Sequence, residues 1–189
     1  CMAHCVWVNE REQEILADRR VKVLHCPGSN LKLGSGLAPV AELRRRGVSV
    51  SLGADGAACN NRLDMFEEMR LAAVLQAVRL GPGTLPARDA VWMATREGAR
   101  ALGMEADIGS VVPGKRADLI VVGLDRPHLA PGRDPYSTLV YAARGPDVRH
   151  TMVDGQVLVR DFRPVYLDPQ AAAAGARAEA TALLARAGI

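Results

Sequence analysis

The sequence predicts an α/β fold, in which a parallel sheet with helical crossovers is followed by a β-rich segment and a terminal helix. Three observations carry this expectation. Apolar, partly β-branched runs at residues 3–8, 21–25 and 48–52 each lead into a loop and then a helix-patterned stretch. Repeating strand, loop and helix three times implies parallel strands, because a parallel pair needs a crossover between its members. After residue 104 the pattern shifts to short strands, with Asp154-Gly155 between two apolar runs; that dipeptide is a two-residue hairpin signal.

Each element has a local reason. Residues 3–8 are short and apolar, and Asn9 can cap a helix over 10–19 that carries acidic residues near its start. Residues 21–25 (VKVLH) alternate as a buried strand does, and CPGSNLKLGSG reads as a glycine-rich loop. A helix over 37–46 stops at Gly47, and VSVSL at 48–52 is the third strand, running into GADG. Residues 63–80 form a long amphipathic helix with Met65, Met69, Ala72, Leu75 and Ala77 toward one side. Pro86 precedes a helix over 87–102 that Gly103 ends. IGSVVPGKRADLIVVGLD reads as two short strands about a Pro-Gly turn, TMVDGQVLVRD as a hairpin, and 168–187 as an alanine-rich surface helix.

Composition narrows the function classes. A chain that is 49% apolar is not a disordered segment. A net charge of +3, spread evenly, does not argue for a nucleic-acid partner or a membrane surface, and no apolar run approaches the roughly 18 residues of a span. Four cysteines confined to the first third do not make a disulfide scaffold, so a reducing, cytoplasmic setting is expected. A structural zinc site from Cys1, His4, Cys5, His25 and Cys26 is the alternative use of these residues. Each His-Cys pair is adjacent in sequence, however, and on a strand adjacent side chains point to opposite faces. The chain opens on Cys1, directly into an apolar segment, and is therefore expected to be the later part of a longer protein.

The candidate chemistry sits where the three strands end. His4 lies near the end of the first, His25 ends the second and Asp55 follows the third. Loops beyond the carboxyl ends of parallel strands carry the active sites of α/β proteins. Taken singly, each residue has a plainer use: His4 as a buried, backbone-bonded histidine, His25 as a strand end, Asp55 as the first residue of an Asp-Gly turn. Their shared placement favours function for His4 and Asp55. No nucleotide-binding glycine fingerprint is present.

The strings AHC at 3–5, HCPGSNLKLGSGLAPV at 25–40, LGADGAACNNRLDMFEEMRLA at 52–72 and IGSVVPGKRADLIVV further on resemble the amidohydrolase superfamily. The branch they resemble holds methylthioadenosine/S-adenosylhomocysteine deaminases, guanine-type deaminases and triazine chlorohydrolases. The resemblance runs from Ala3 to about Arg163. It implies the last three strand-helix units of a metal-dependent (β/α)8 TIM barrel plus the C-terminal part of a small β-sandwich domain. Residues 1–104 are then the barrel third with its following helix, 105–165 the β-sandwich segment and 166–189 the C-terminal helix.

The resemblance also implies roles. Asp55 matches the aspartate that binds the metal and takes a proton from water, so it is both a metal ligand and a catalytic residue. His4 matches a histidine beside the nucleophile and the attacked carbon, a catalytic and substrate-binding position. His25 matches the histidine of an H-x-P-x-S-N motif and is expected to support its loop. Asn60, Asn61, Asp64, Glu67 and Glu68 are read as loop ordering and helix capping, with Asn61 a candidate cap, and Met65 and Met69 as core. The implied cofactor is one divalent metal, zinc first and iron second. The implied substrate is a small heterocycle, and the full-length parent is expected to be a homo-oligomer.

Two family motifs are missing from these 189 residues: the His-x-His of the first barrel strand and the His-x-x-Glu of the fifth. His128 and His150 do not replace them, lying in the β-rich segment without a carboxylate at the required spacing. A whole barrel needs about 250 residues, so the chain is expected to bring one metal ligand of four and to be inactive alone. The expected activity of the parent is hydrolysis of a ring C–N bond with release of ammonia from a purine, pyrimidine or triazine. A dechlorinating triazine-type hydrolase and a non-catalytic assembly module of the same fold are the alternatives.

Overall fold

The computed structural model describes residues 1–189. Three strands, β1 (Met2–Ala3), β2 (Lys22–His25) and β3 (Ser49–Leu52), form a parallel sheet in the order β1-β2-β3. Their register pairs Ala3 with Leu24 and His25 with Leu52, so the strands finish at nearly one level. Helix α1 (Glu10–Asp18) joins β1 to β2, and α2 (Pro27–Lys32) with α3 (Val40–Arg45) joins β2 to β3. Helix α4 (Met65–Leu80) follows β3, then α5 (Ala87–Ala94) and α6 (Arg96–Leu102).

Helix α1 begins where the sequence predicts, and a reciprocal capping box holds it: Glu12 N–H donates to Asn9 Oδ1 at 2.9 Å and Asn9 N–H donates to Glu12 Oε2 at 2.7 Å. Such a cap contributes roughly 1 kcal/mol. The core lies between the sheet and the helices packed on it. Val23 and Val50 from the sheet, Val40 and Leu43 from α3, Met69, Ala72 and Ala73 from α4, and Ala90 and Met93 from α5 are all buried in one cluster. Leu129, Val140 and Ala143 from the later segment join the same cluster.

That segment carries β4 (Leu119–Val122), the short helix α7 (Pro135–Ser137) running into a π-helical turn at Thr138–Ala142, β5 (Val148–Val153), β6 (Gln156–Arg160) and β7 (Arg163–Pro164). The four strands form an antiparallel sheet in sequence order. The Asp154-Gly155 turn has positive φ at both residues, 50° and 79°, as a tight hairpin requires. Helix α8 (Pro169–Ala187) starts at an Asp168 cap and buries none of its residues.

The structure corrects several expectations. The first strand stops at Ala3 instead of running to residue 8, because His4 and Cys5 both adopt positive φ and turn the chain out of the sheet. The glycine-rich loop after β2 contains α2: Pro27 occupies the first helical turn, where its missing N–H is harmless. The helix predicted over 37–46 begins only at Val40, because Pro39 disfavours helical geometry in the residue before it. The helix predicted over 87–102 is broken at Thr95 (φ −125°, ψ −83°), whose hydroxyl donates to Val91 O at 2.7 Å. Of the two strands read in IGSVVPGKRADLIVV only β4 forms. The cap of α4 is Asp64, which accepts from Phe66 N–H at 2.9 Å, whereas Asn61 accepts from Lys32 Nζ. On α4, Leu75 and Ala77 are only partly buried, and the buried side holds Phe66, Glu68 and Gln76 beside Met69, Ala72 and Ala73.

Candidate functional site

The site is built at the carboxyl end of the parallel sheet. His4 is the first residue past β1, and its N–H still donates to Leu24 O on β2 at 2.9 Å. Its φ of 64° then turns the chain, with Cys5 N–H closing back on Ala3 O at 2.8 Å. Asp55 lies three residues past β3 and has φ of 63°. A left-handed backbone at a residue with a Cβ costs on the order of 1–3 kcal/mol and persists where its surroundings enforce it. Both candidate residues carry this strain. Their side chains converge, with His4 Nε2 3.9 Å from Asp55 Oδ2.

Helix α2 determines how the two face each other. Ser29 Oγ donates to Asp55 Oδ2 at 2.6 Å, and Gly56 N–H donates to Asp55 Oδ1 at 2.8 Å. The Ser29 hydroxyl first and the Gly56 N–H second hold the Asp55 carboxyl below the usual carboxylate range, with a smaller contribution from His4. The adjacent residue, Asn30, places Oδ1 2.8 Å from His4 Nδ1. Both Ser29 and Asn30 are buried, so neither is free to leave these contacts for solvent.

Glu68 holds α2 in place from beneath. Its carboxylate is 1% exposed and accepts from Gly28 N–H at 3.0 Å and from Asn60 Nδ2 at 2.6 Å. Burial raises its pKa against those two donors. A Cβ at Gly28 would stand 2.4 Å from Glu68 Oε1 and 2.7 Å from Asn60 Nδ2, so any other residue there would displace those buried, hydrogen-bonded groups.

His25 is enclosed in the protein interior. It is 1% exposed, neither ring nitrogen has a hydrogen-bond partner, and burial first, then the nearby His4, pushes its pKa down to about 4. The neighbouring Cys26 thiol is pushed up to about 11 by burial, reinforced by the charges of Asp55 and Glu68, so it stays protonated at neutral pH. Cys5 is also buried, and burial raises its pKa. No three His, Cys, Asp or Glu side chains are gathered closely enough to hold a metal between them.

A cavity of about 520 Å3 opens beside these groups, lined by His4 and Asp55 together with Gly98, Ala99 and Leu102 of α6. Of the three strand-end residues singled out in the sequence, the structure brings His4 and Asp55 together and buries His25 behind them. His128 and His150 lie in the antiparallel part, and there each does meet a carboxylate: His128 Nε2 is 2.9 Å from Asp147 and His150 Nε2 3.8 Å from Asp161. Sequence reasoning missed Ser29 and Asn30. Their signal was two polar residues two and three positions past a proline that opens a helix at a strand's carboxyl end.

Asp55 fits a divalent metal as one member of a ligand set, being an ionised carboxylate whose oxygens each carry a single hydrogen-bond donor. Carboxylate oxygen is an ordinary ligand of zinc and of iron.

Comparison with known proteins agrees with this geometry. The profile of the amidohydrolase family matches residues 1–158. A 5′-deoxyadenosine deaminase of Methanothermobacter thermautotrophicus is 55% identical over 160 residues, covering 84% of this chain and 37% of that protein. A 5-methylthioadenosine/S-adenosylhomocysteine deaminase of Halobacterium salinarum is 50% identical over 188 residues, covering 99% of this chain and 43% of that protein. Among solved structures, an adenosine deaminase from Xanthomonas campestris with bound zinc superposes with a TM-score of 0.89 at 40% identity, over 93% of this chain and 40% of that one. The chain thus spans about two fifths of the length of these relatives.

Proposed function

The chain belongs to the amidohydrolase family, and from that membership we propose that it supplies the Asp55 and His4 side of the active site of a metal-dependent deaminase acting on an adenosine-type ring. The proposal divides the chain as 1–104, the last barrel units with their following helix; 105–165, part of a small β-sandwich domain; and 166–189, a terminal helix. The observation that carries the reading is the convergence of His4 and Asp55 at 3.9 Å, each held by its own hydrogen bond from α2. Identity of 50% or more to deaminases of 5′-deoxyadenosine and of methylthioadenosine/S-adenosylhomocysteine favours ring deamination over dechlorination. The strained, paired side chains favour it over a purely structural module.

In this reading Asp55 is a ligand of one divalent metal, zinc before iron, and the remaining ligands come from residues outside these 189. When bound, such a metal supplies a Lewis acid that acidifies water and stabilises negative charge. The chain's own residues do the rest. Asp55, kept ionised by Ser29 and Gly56, takes up a proton from the attacking water. His4 faces the gap beside Asp55 and orients the water and the ring atom under attack. Gly28, packed against Glu68, keeps α2 close enough for Ser29 to reach Asp55. The product side is ammonia and the oxo form of the ring. The cytoplasm is the proposed setting, and no helix is long and apolar enough to cross a membrane.

Ammonia release from 5′-deoxyadenosine, methylthioadenosine, S-adenosylhomocysteine and guanine tests the reading, measured with the full-length gene product that contains these residues and with the 189-residue chain alone. Turnover by the former, absent from the latter, is expected. Asp55→Asn should lower kcat by orders of magnitude, since it weakens a ligand and removes a base. Retained turnover in that variant would sink the assignment of Asp55.

A further inference from the structure

We propose that Asn30 is a positioning residue that sets the tautomer of His4, making its Nε2 a hydrogen-bond acceptor toward the gap shared with Asp55. The inference rests on the functional reading above and adds the direction in which His4 works.

Asn30 is 2% exposed, and its side-chain oxygen lies 2.8 Å from His4 Nδ1. An amide oxygen only accepts, so the nitrogen facing it must carry the proton. In a neutral imidazole the other nitrogen then holds a lone pair. That nitrogen is Nε2, and it faces Asp55 Oδ2 across 3.9 Å, beyond hydrogen-bond reach. Two acceptors therefore face each other across a gap, an arrangement that suits a donor placed beside both. Water, with two O–H bonds, is such a donor, and it is the reactant that a hydrolase has to hold. With the amide oriented as it is, the opposite tautomer would put an N–H toward Asp55 and leave the Asn30 oxygen buried without a partner.

The backbone supports this assignment. Asn30 N–H donates to Cys26 O at 3.0 Å, and Asn30 O accepts from Ser35 N–H at 2.8 Å, so the residue is anchored at both ends of its peptide. The preceding residue, Ser29, uses its hydroxyl on Asp55. Consecutive residues of α2 thus prepare the two facing groups in opposite senses: Ser29 gives a hydrogen bond to the carboxylate, and Asn30 takes one from the imidazole. The Asn30 amide nitrogen is buried without a partner. The His4 contact is the one hydrogen bond that the Asn30 side chain makes.

The test is a long-range 1H–15N spectrum of the 189-residue protein with 15N-labelled histidine rings, recorded at about pH 8, where an ordinary histidine is neutral. Only four histidines are present, and His4→Gln identifies the His4 signals by their loss. The wild-type protein should show His4 protonated on Nδ1 and bare on Nε2, the reverse of the tautomer preferred by free imidazole side chains. Asn30→Asp keeps an acceptor oxygen and should preserve the pattern. Asn30→Leu removes it at similar volume and should switch His4 to the Nε2–H form. A wild-type His4 protonated on Nε2 overturns the proposal whether or not the variants fold, and so does an unchanged pattern in Asn30→Leu. The spectrum needs neither metal nor turnover, so a failed ammonia assay would remove the functional reading and leave this result standing.

Discussion

Ser29 Oγ stands 2.6 Å from Asp55 Oδ2, and this single contact ties a helix between β2 and β3 to the carboxylate beyond β3. It is also the first cause of the depressed Asp55 pKa. Replacing Ser29 with alanine should therefore move the Asp55 pKa up toward the ordinary carboxylate value. A carboxyl 13C titration of wild type and Ser29→Ala reads this directly. An unmoved Asp55 would show that Gly56 N–H and the other neighbours keep the carboxylate ionised without Ser29.

Gly28→Ala should destabilise the protein. Its new Cβ would meet the buried Glu68 carboxylate at 2.4 Å and Asn60 at 2.7 Å, and overpacking of this kind costs about 1–3 kcal/mol. Gly98→Ala is the control. That position lies inside α6 with only ordinary contact at 3.9 Å, where alanine stabilises a helix by roughly 0.5–1 kcal/mol. Urea midpoints of the two variants should move in opposite directions.

Glu68 is a buried polar pivot among α2, α4 and the loop after β3. Glu68→Ala leaves the Gly28 N–H and the Asn60 amide without their acceptor, a loss of several kcal/mol by the usual penalty of about 1–3 for each stranded group. A melting temperature equal to wild type would show that water or a neighbour satisfies them.

Stability should fall on mild acidification because of His25. Its folded pKa is about 4 against an ordinary 6.5, so the unfolded chain takes up the proton first as pH drops. The contribution is fully present above pH 6.5 and is lost as pH falls toward 4, by about 3 kcal/mol at most. Denaturant midpoints of wild type at pH 7 and 4.5 should differ clearly, and by less in His25→Leu. Asp147 adds a second window at lower pH. Burial opposes its ionisation, but the hydrogen bonds of His128 and of Arg144 N–H outweigh that and lower its pKa. Its contribution is therefore present above pH 3.8 and lost below it.

Removing residues 168–189 should leave the melting temperature within roughly 2 °C of wild type, because α8 buries no side chain. A larger drop would assign α8 a packing role that its exposure does not suggest.

Much of the molecule was legible in the amino-acid sequence. The order of the three parallel strands, the Asn9 cap, the Asp154-Gly155 hairpin and the Gly103 stop depend on periodicity and on hydrogen bonds between near neighbours, which local sequence specifies. His4 and Asp55 were legible as candidates because strand ends could be located and the motifs resemble those of the amidohydrolases. Where the reading failed, a short-range pattern met a constraint from elsewhere. The strand at 3–8 ended at Ala3 because His4 and Cys5 turn outward, and the helix at 87–102 broke at Thr95. On α4 the expected apolar side carries Glu68 and Gln76, buried because each finds partners on another element: Gly28 and Asn60 for Glu68, Ala38 and Ala41 for Gln76.

The sequence by itself marked His4 and Asp55 as candidates and ordered the three strands whose ends carry them. Tertiary structure alone decided which of them meet. Residues 4, 29, 30 and 55 come from three separate strand-helix units, and the two hydrogen bonds among them each span 26 positions. No local propensity encodes contacts over that range. They arise because three parallel strands end at one level, Gly28 lets α2 close on Glu68, and left-handed backbone at His4 and Asp55 aims both side chains at the same gap.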